Sequence, residues 1–528
     1  MYDYDEPHAK LAKVSVETKD FDIDTRSDNY SNSATNCSLA QPVNVGQFSF
    51  DENRQLIPGS ASSRNICKIT LGTGCSFDPQ GGYGTSREPK YNSFVGLNLG
   101  DGYDTWVQRD DLNVKEFIDP ILEWIVDQAK RNAVQQAGKR AKTFKELVHN
   151  ADCVCWRGLL TKIATTPYEQ REGWIICATL YRGVMFLCEF DTESREQQRR
   201  VLLEDKKSRD RTMYYWGYKF EQYLTQNNSK LETDQEEKDG TDHAAPVNGN
   251  EQFCVLFKSK LISNASNEPV DSLNPASIGS PVRLMFGAEM DCVHREHDAS
   301  CGQKGSVCDT KDLPAECYIE LKTSRYWQHR RQRDNFYRFK AMKWWAQSYL
   351  SGTQRILCGF RDDNGIVKSL DTFSVLDLPK QAAAWSNSWN ANVCLNFLTN
   401  VLTKLKCQLW SSFEREFGSQ SKAFTYPETK FAGADGFKCI STNVGSGLRL
   451  TGSGGQGKAN KEDRITDTNV ESCGPSYGNL VELSLFKAHW IPGQTTVKFE
   501  RIEGDEKISK YAFIPDWFVD AIEECFPV

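Results

Sequence analysis

Two short stretches, GAEMD (Gly287–Asp291) and YIELKTS (Tyr318–Ser324), constrain this chain more than any other feature. Both read as strands, and both carry acids. In an extended strand, alternate side chains leave opposite faces. Glu320 and Lys322 therefore share one face of the second stretch, with Ile319 and Leu321 on the other. In PVRLMFGAEMDCV, Val282, Leu284, Phe286, Ala288 and Met290 point one way; Arg283, Met285, Gly287, Glu289 and Asp291 point the other. Three carboxylates buried near one another repel, and burial raises their pKa values. Lys322 supplies one compensating charge. A divalent cation would supply more, and all-oxygen ligands suit Mg²⁺ or Mn²⁺ better than zinc. Taken alone, Glu-x-Lys also fits a salt-bridged surface strand; the matching alternation of GAEMD argues for a site.

Next comes RYWQHRRQRDNFYRFKAMKWWAQSYLSG, which reads as a helix from about Arg330 to Leu350. From Lys322 to Lys343 there are eight Lys or Arg and one acid, Asp334, in a chain whose net charge is −7. Phosphate recognition needs such a local patch when the whole protein is acidic. Phe336, Lys340, Lys343 and Gln347 fall along one helical stripe, so Gln347 points where the lysines point. Phe339, Met342, Ala346 and Leu350 form a second, apolar stripe for the core.

The rest of the 528 residues reads as one large domain with insertions. Residues 1–40 are polar and are expected to be disordered. The main folded domain is expected over 41–410, with insertions at 227–280 and 292–315. Within it, QPVNVGQFSF reads as an edge strand, and FIDPILEWIVDQAK as a helix burying Ile121, Trp124, Ile125 and Ala129. Two apolar runs around Tyr181-Arg182-Gly183 read as a hairpin, and RILCGF and IVKSLDTFSVLDL as strands. Asn392–Trp410 is helical, with Val393, Phe397, Val401 and Leu405 on one stripe. Residues 411–476 read as a flexible Gly/Ser-rich insertion, and 477–528 as strands packing back on the main domain. The 18 cysteines are irregularly spaced and no signal peptide is evident, so free thiols in a reducing compartment are expected. No apolar run approaches the ~20 residues that span a bilayer, so no membrane association is expected.

Six segments come in a telling order: CWRGLLTKI (155–163), GYKFE (217–221), GAEMD, IELKTS, KWWAQSYLSG (343–352) and GFRDDNG (359–365). With LNLGDGYDTWVQRD (97–110) before them, they resemble the DXO, or Rai-like, family of decapping nucleases across roughly residues 40–400. That resemblance implies a mixed α/β fold: two mixed β-sheets flanked by helices around a PD-(D/E)xK-like nuclease core. It implies that Glu289, Asp291 and Glu320 ligate Mg²⁺ (or Mn²⁺), two ions in all, with the Leu321 backbone carbonyl, while Glu221 acts through water. Lys322 and Gln347 would contact the scissile phosphate or attacking water, and Arg157 would hold the substrate 5′ end. The implied activity is hydrolysis at an RNA 5′ end: removal of incomplete or NAD-type caps, pyrophosphate release from 5′-triphosphate RNA, and in some members 5′-to-3′ degradation. The alternative is a non-catalytic or weakly catalytic partner that stabilises a nuclear 5′-to-3′ exoribonuclease; an intact acidic set argues against a purely structural role, because unneeded buried carboxylates are costly. A DNA-directed nuclease is a third option, discriminated by a contact to the RNA 2′-OH. A nuclear location is expected, with the cytosol as alternative; the basic run Lys139–Lys142 permits nuclear entry.

The chain departs from the compact family pattern in three long segments: between Glu221 and Gly287, between Asp291 and Glu320, and after Trp410. The second holds Cys292, His294, His297, Cys301 and Cys308, whose spacing fits no standard zinc finger and reads as a variable loop. GSGGQGKA (452–459) nearly matches a P-loop, but Ala459 lacks the hydroxyl for Mg²⁺ and no helical pattern follows.

Overall fold

Both acid-bearing stretches become strands, but of different sheets. The computed structural model describes residues 22–31, 37–66, 94–110, 114–135, 140–205, 207–227, 245–263, 281–294, 313–417 and 485–527. Among them, the large sheet runs β1 (Ile23–Asp24), β17 (Thr496–Arg501), β16 (Leu485–Trp490), β7 (Trp174–Tyr181), β8 (Val184–Phe190), β6 (Cys153–Trp156), β11 (Val282–Glu289), β10 (Gln252–Ser263), β3 (Val43–Phe50) and β4 (Leu56–Pro58), with β2 (Cys37–Leu39) also on β10. β6 is parallel to both β8 and β11; the other pairings are antiparallel. The smaller sheet runs β15 (Val367–Ser374), β14 (Arg355–Arg361), β13 (Tyr318–Arg325), β12 (Cys292–Val293), β5 (Arg64–Ile66) and β9 (Thr225–Asn227). It is also mixed, parallel at β13–β14 and β12–β5. The fold is thus the expected mixed α/β architecture of two mixed sheets flanked by helices.

Three apolar clusters hold the layers together. On one face of the large sheet, α1 (Asp119–Ala133) buries the expected stripe of Ile121, Trp124, Ile125 and Ala129 in a cluster with Met285. The other face, through Leu284 and Phe286, shares a cluster with α3 (Arg157–Thr165), α7 (Ala341–Ser351) and α9 (Ala391–Phe417). Val393, Phe397, Val401 and Leu405 of α9 are all buried, as their spacing predicts. α5 (Arg209–Leu224) covers the smaller sheet, where Trp216 and Phe220 meet Ile319, Leu321 and Leu357. The β7–β8 hairpin closes through Arg182 (φ 46°) and Gly183 (φ 74°), both left-handed, as a twist-compatible two-residue turn requires.

Several expectations need correction. The helix after β13 is not uniform: α6 (Arg330–Asn335) passes through a π-helical turn, Phe336–Lys340, into α7. A wider turn shifts the helical phase. Phe336 consequently leaves the lysine stripe for the core, 5.0 Å from the Trp344 ring, and Phe339 is only half-buried, whereas Met342, Ala346 and Leu350 are buried as expected. The segment 227–280 is not wholly an insertion, since β10 lies inside the large sheet. The 292–315 segment opens with β12, and α9 carries the helix to Phe417, past the expected boundary. Residues before 41 supply β1 and β2, with Ile23 fully buried and Tyr30 packed edge-on against Phe397. At the other end, β16 joins β7 within the large sheet, and two helices, Asp505–Tyr511 and Asp516–Cys525, follow the strands. Phe513 and Phe518 are buried there while Trp517 is exposed. The P-loop-like segment and His297, Cys301 and Cys308 lie outside the described residues. Every described cysteine is a free thiol, and among the described residues no helix is long and apolar enough to cross a membrane.

Candidate active site

The chain leaves the large sheet at Glu289 and enters the smaller one at Cys292, so Asp291 sits in the crossover rather than on a strand. The alternation in the sequence placed Glu289 and Asp291 on one strand face. The structure instead forms the site at the junction of two sheets. Glu289 is exposed at the end of β11, and Asp291 is half-buried. The Leu321 N–H donates to Asp291 Oδ2 at 2.6 Å.

That hydrogen bond locates an open edge. β12 pairs only with Tyr318 and Ile319 of β13; among the described residues no strand continues along that side past Ile319. The N–H and C=O of one strand residue face the same side. With its N–H directed to Asp291, the Leu321 carbonyl faces the same edge, while the Leu321 side chain is buried under α5.

Glu320 and Lys322 share the other face, as alternation predicts. Glu320 is 1 % exposed and lies among cationic and amide groups. Lys322 Nζ donates to its Oε1 at 2.5 Å, and Gln347 Nε2, from α7, donates to the same oxygen at 2.6 Å. Arg157, the first residue of α3, approaches Oε2 at 3.5 Å and also lies 3.5 Å from Ser351 Oγ. Of the lysines expected beside Gln347, Lys340 reaches β13 at Ser324 (3.3 Å), whereas Lys343 turns away to Glu169 (2.8 Å).

The charges divide unevenly. Burial alone would raise the Glu320 carboxyl, but Lys322 and Arg157 outweigh it and hold it below its ordinary value. Burial would lower the Lys322 ammonium; Glu320 and Asp291 hold it above its usual range instead. Asp291 goes the other way: burial, then Glu320, Glu221 and Glu289, push its carboxyl well above the carboxylate range against the pull of Lys322. Three other carboxylates thus act on Asp291 across this junction, including Glu221, half-buried on α5.

Tyr218 was missed by sequence reasoning, although it lies within GYKFE three residues before Glu221, on the same helix face. Burial first, then Tyr214, Glu289 and Glu221, raise its hydroxyl. Among the described residues, no three acidic, histidine or cysteine side chains converge at ligating distance in this arrangement, because Glu320 is committed to Lys322, Gln347 and Arg157. The donor chemistry nevertheless fits a hard divalent cation: the donors are carboxylate and carbonyl oxygens, and the carboxylates around Asp291 lack sufficient positive charge.

A family model for the RAI1 like PD-(D/E)XK nuclease matches residues 40–431. The chain belongs to this family. The decapping and exoribonuclease proteins of Xenopus laevis and Homo sapiens are each 32 % identical to it, over 365 and 366 residues; both alignments cover 69 % of this chain, and 75 % and 74 % of the relatives. The decapping nuclease RAI1 of Emericella nidulans is 27 % identical over 373 residues, covering 70 % of this chain and 83 % of that one. Among solved structures, Candida albicans Rai1 in complex with pU5 and Mn²⁺ superposes with a TM-score of 0.59 at 16 % identity, covering 96 % of this chain and 99 % of that one, which establishes the shared fold. In this RAI1-like nuclease Glu289, Asp291 and Glu320 thus lie at the junction of two sheets.

Proposed function

We propose that this RAI1-like nuclease hydrolyses RNA at its 5′ end with a divalent cation, Mg²⁺ or Mn²⁺, two ions in the full site. The carrying observation is Asp291 at the open edge of β13, on which Glu221, Glu289 and Glu320 all act, beside Lys322 and Gln347. Relatives named decapping and exoribonuclease proteins support the substrate class.

Glu289, Asp291, Glu320 and the Leu321 carbonyl would hold the metal, with Glu221 acting through water. Bound there, a divalent cation would supply water activation and offset charge on the phosphoryl group. Lys322, beside Glu320 on the same face of β13, would stabilise a non-bridging phosphate oxygen. Gln347, anchored on α7 2.6 Å from Glu320, would orient the attacking water or the phosphate. Arg157 lies behind Glu320, from where it would steady the carboxylate and reach the substrate's 5′ phosphate. The products would be an intact incomplete or NAD-type cap, pyrophosphate from 5′-triphosphate RNA, or 5′ nucleotides. The same proposal extends to a nuclear setting with a 5′-to-3′ exoribonuclease partner, and there it rests on the family resemblance.

The test uses 5′-triphosphate, NAD-capped and 5′-monophosphate RNA with wild type and the Asp291→Ala and Glu320→Ala variants, in Mg²⁺ and in EDTA. Release of pyrophosphate or cap that needs Mg²⁺ and both carboxylates supports the proposal. A folded wild-type protein that binds Mg²⁺ and acts on none of the three RNAs refutes it.

A further inference from the structure

Beyond Lys322 lies a second cationic cluster that the hydrolytic chemistry does not use. β13 runs on to Arg325, about 10 Å further at ~3.3 Å per residue. There Arg325 and Arg209, the first residue of α5, share the carboxylate of Asp363, Arg209 at 3.0 Å. A third guanidinium, Arg361, is 6 % exposed and lies 4.1 Å from the centre of the Trp216 ring. Its NH1 donates to the Asp362 carbonyl at 3.1 Å, but among the described residues its Nε has no hydrogen-bond partner. The Asp362 carboxylate is taken by Lys368 at 3.1 Å. Asp363 is therefore shared by two guanidinium groups and acts, with Asp362, on the third.

A structural brace accounts for Arg209 and Arg325, which are largely exposed. It does not account for Arg361. A buried guanidinium with an unsatisfied donor is costly unless an anion completes it. Burial, together with the like charges of Arg209 and Arg325, pushes Arg361 down to about 10 despite Asp363.

The cluster also has a path to the carboxylates. α5 runs antiparallel to β13, with Arg209 beside Arg325 at one end and Glu221 acting on Asp291 at the other. The open edge of β13 lies between. From Glu221 back along that helix face come Tyr218 and Tyr214. Tyr214 is 42 % exposed, and its hydroxyl hydrogen-bonds that of Tyr218 (3.1 Å). Aromatic faces beside a cationic edge suit a single strand, whose bases stack while its phosphates seek positive charge.

We propose that Arg209, Arg325 and Arg361 form a distal phosphodiester site for single-stranded RNA, which grips the chain downstream while its 5′ end occupies the carboxylates. The site rests on reading those carboxylates as an RNA 5′-end centre. Asp363 holds the arginines in place until a phosphate competes for them.

Fluorescence anisotropy with 3′-labelled pU10 and pU2, in EDTA so that cleavage does not interfere, tests the site without requiring turnover. The Arg209→Ala/Arg325→Ala double variant is expected to bind pU10 about tenfold more weakly, with a salt dependence shallower by about one phosphate contact and a much smaller loss on pU2. Asp363→Asn frees both arginines and is expected to bind pU10 more tightly, a gain that misfolding cannot mimic. Wild-type-like binding of pU10 by both variants overturns the proposal, as does an equal loss on pU2 and pU10 or a wild type that binds no RNA. Arginine-dependent binding by a protein that hydrolyses nothing sustains this site and sinks the hydrolase reading.

Discussion

Gln347, on α7, donates its amide to the Glu320 oxygen that Lys322 also reaches from two residues along β13. One carboxylate is thereby fixed from a helix and from its own strand, with Arg157 closing the other oxygen. Glu320→Gln keeps the shape but removes the charge, and is expected to lower kcat/KM by about 10²–10³ or more. Gln347→Ala leaves the charge and removes only the positioning, so its loss is about 10–100-fold. Steady-state kinetics on 5′-triphosphate RNA separates the two; equal losses would refute this division of labour.

Asp291 is the group most in need of positive charge, since three other carboxylates act on it. EDTA is expected to abolish hydrolysis, and Mg²⁺ or Mn²⁺ to restore it. Saturating Mg²⁺ should also raise the wild-type melting temperature by a few degrees through linkage. Asp291→Asn relieves the repulsion, so it melts higher than wild type without metal and responds less to Mg²⁺. A full Mg²⁺ response in Asp291→Asn would remove Asp291 from the ligand set.

The shared face of Glu320 and Lys322 was legible because strand alternation is local, and Ile319 and Leu321 are buried beneath α5 as that alternation requires. The crossover at Asp291 was not legible. Which sheet a strand joins depends on distant partners, here Phe253 for β11 and Asn65 for β12. The π-helical turn also escaped, because widening one turn leaves composition untouched and shifts only the phase, as Phe336 shows. β10 was hidden by polar sequence on both sides, and β1 and β2 are too short for any periodicity. Arg209 lies more than a hundred residues before Arg325 and Arg361, and it meets them only because α5 lies across β13 and β14.

Gly359, on β14, lies directly beneath the Phe220 ring. A Cβ there would meet Phe220 Cζ at 2.7 Å and Cε2 closer still. Phe220 precedes Glu221, so this contact sets how closely α5 carries Glu221 to the sheet. Gly359→Ala is expected to destabilise the protein by about 1–3 kcal/mol through overpacking. Activity should fall further than the folded fraction does, because Glu221 moves with the helix. Urea denaturation and kcat/KM on one preparation test this; full activity per folded molecule would show that Gly359 serves packing alone.

Asp152 organises a buried network apart from the active site. It accepts from Arg283 side-chain nitrogens at 2.9 and 3.1 Å and from the Arg283 backbone N–H at 3.0 Å, while Lys145 and Lys406 lie at 3.5 and 3.6 Å. Burial would raise this carboxyl; Arg283, Lys145 and Lys406 outweigh it and bring it from 3.8 to about 2. Lys145 falls to about 8, since burial and the charges of Arg283 and Lys406 exceed what its share of Asp152 returns. A lowered carboxylate stabilises the fold fully above its ordinary value and ceases to do so as pH falls through about 2. That span corresponds to about 2 kcal/mol. Asp152→Asn leaves Lys145 and Lys406 buried without a counter-charge and is expected to cost about 3–5 kcal/mol at pH 7. Chemical denaturation of both proteins from pH 7 to pH 2 should therefore show a gap that is constant above pH ~4 and narrows toward pH 2. A gap that stayed constant to pH 2 would mean that the Asp152 charge contributes nothing to stability.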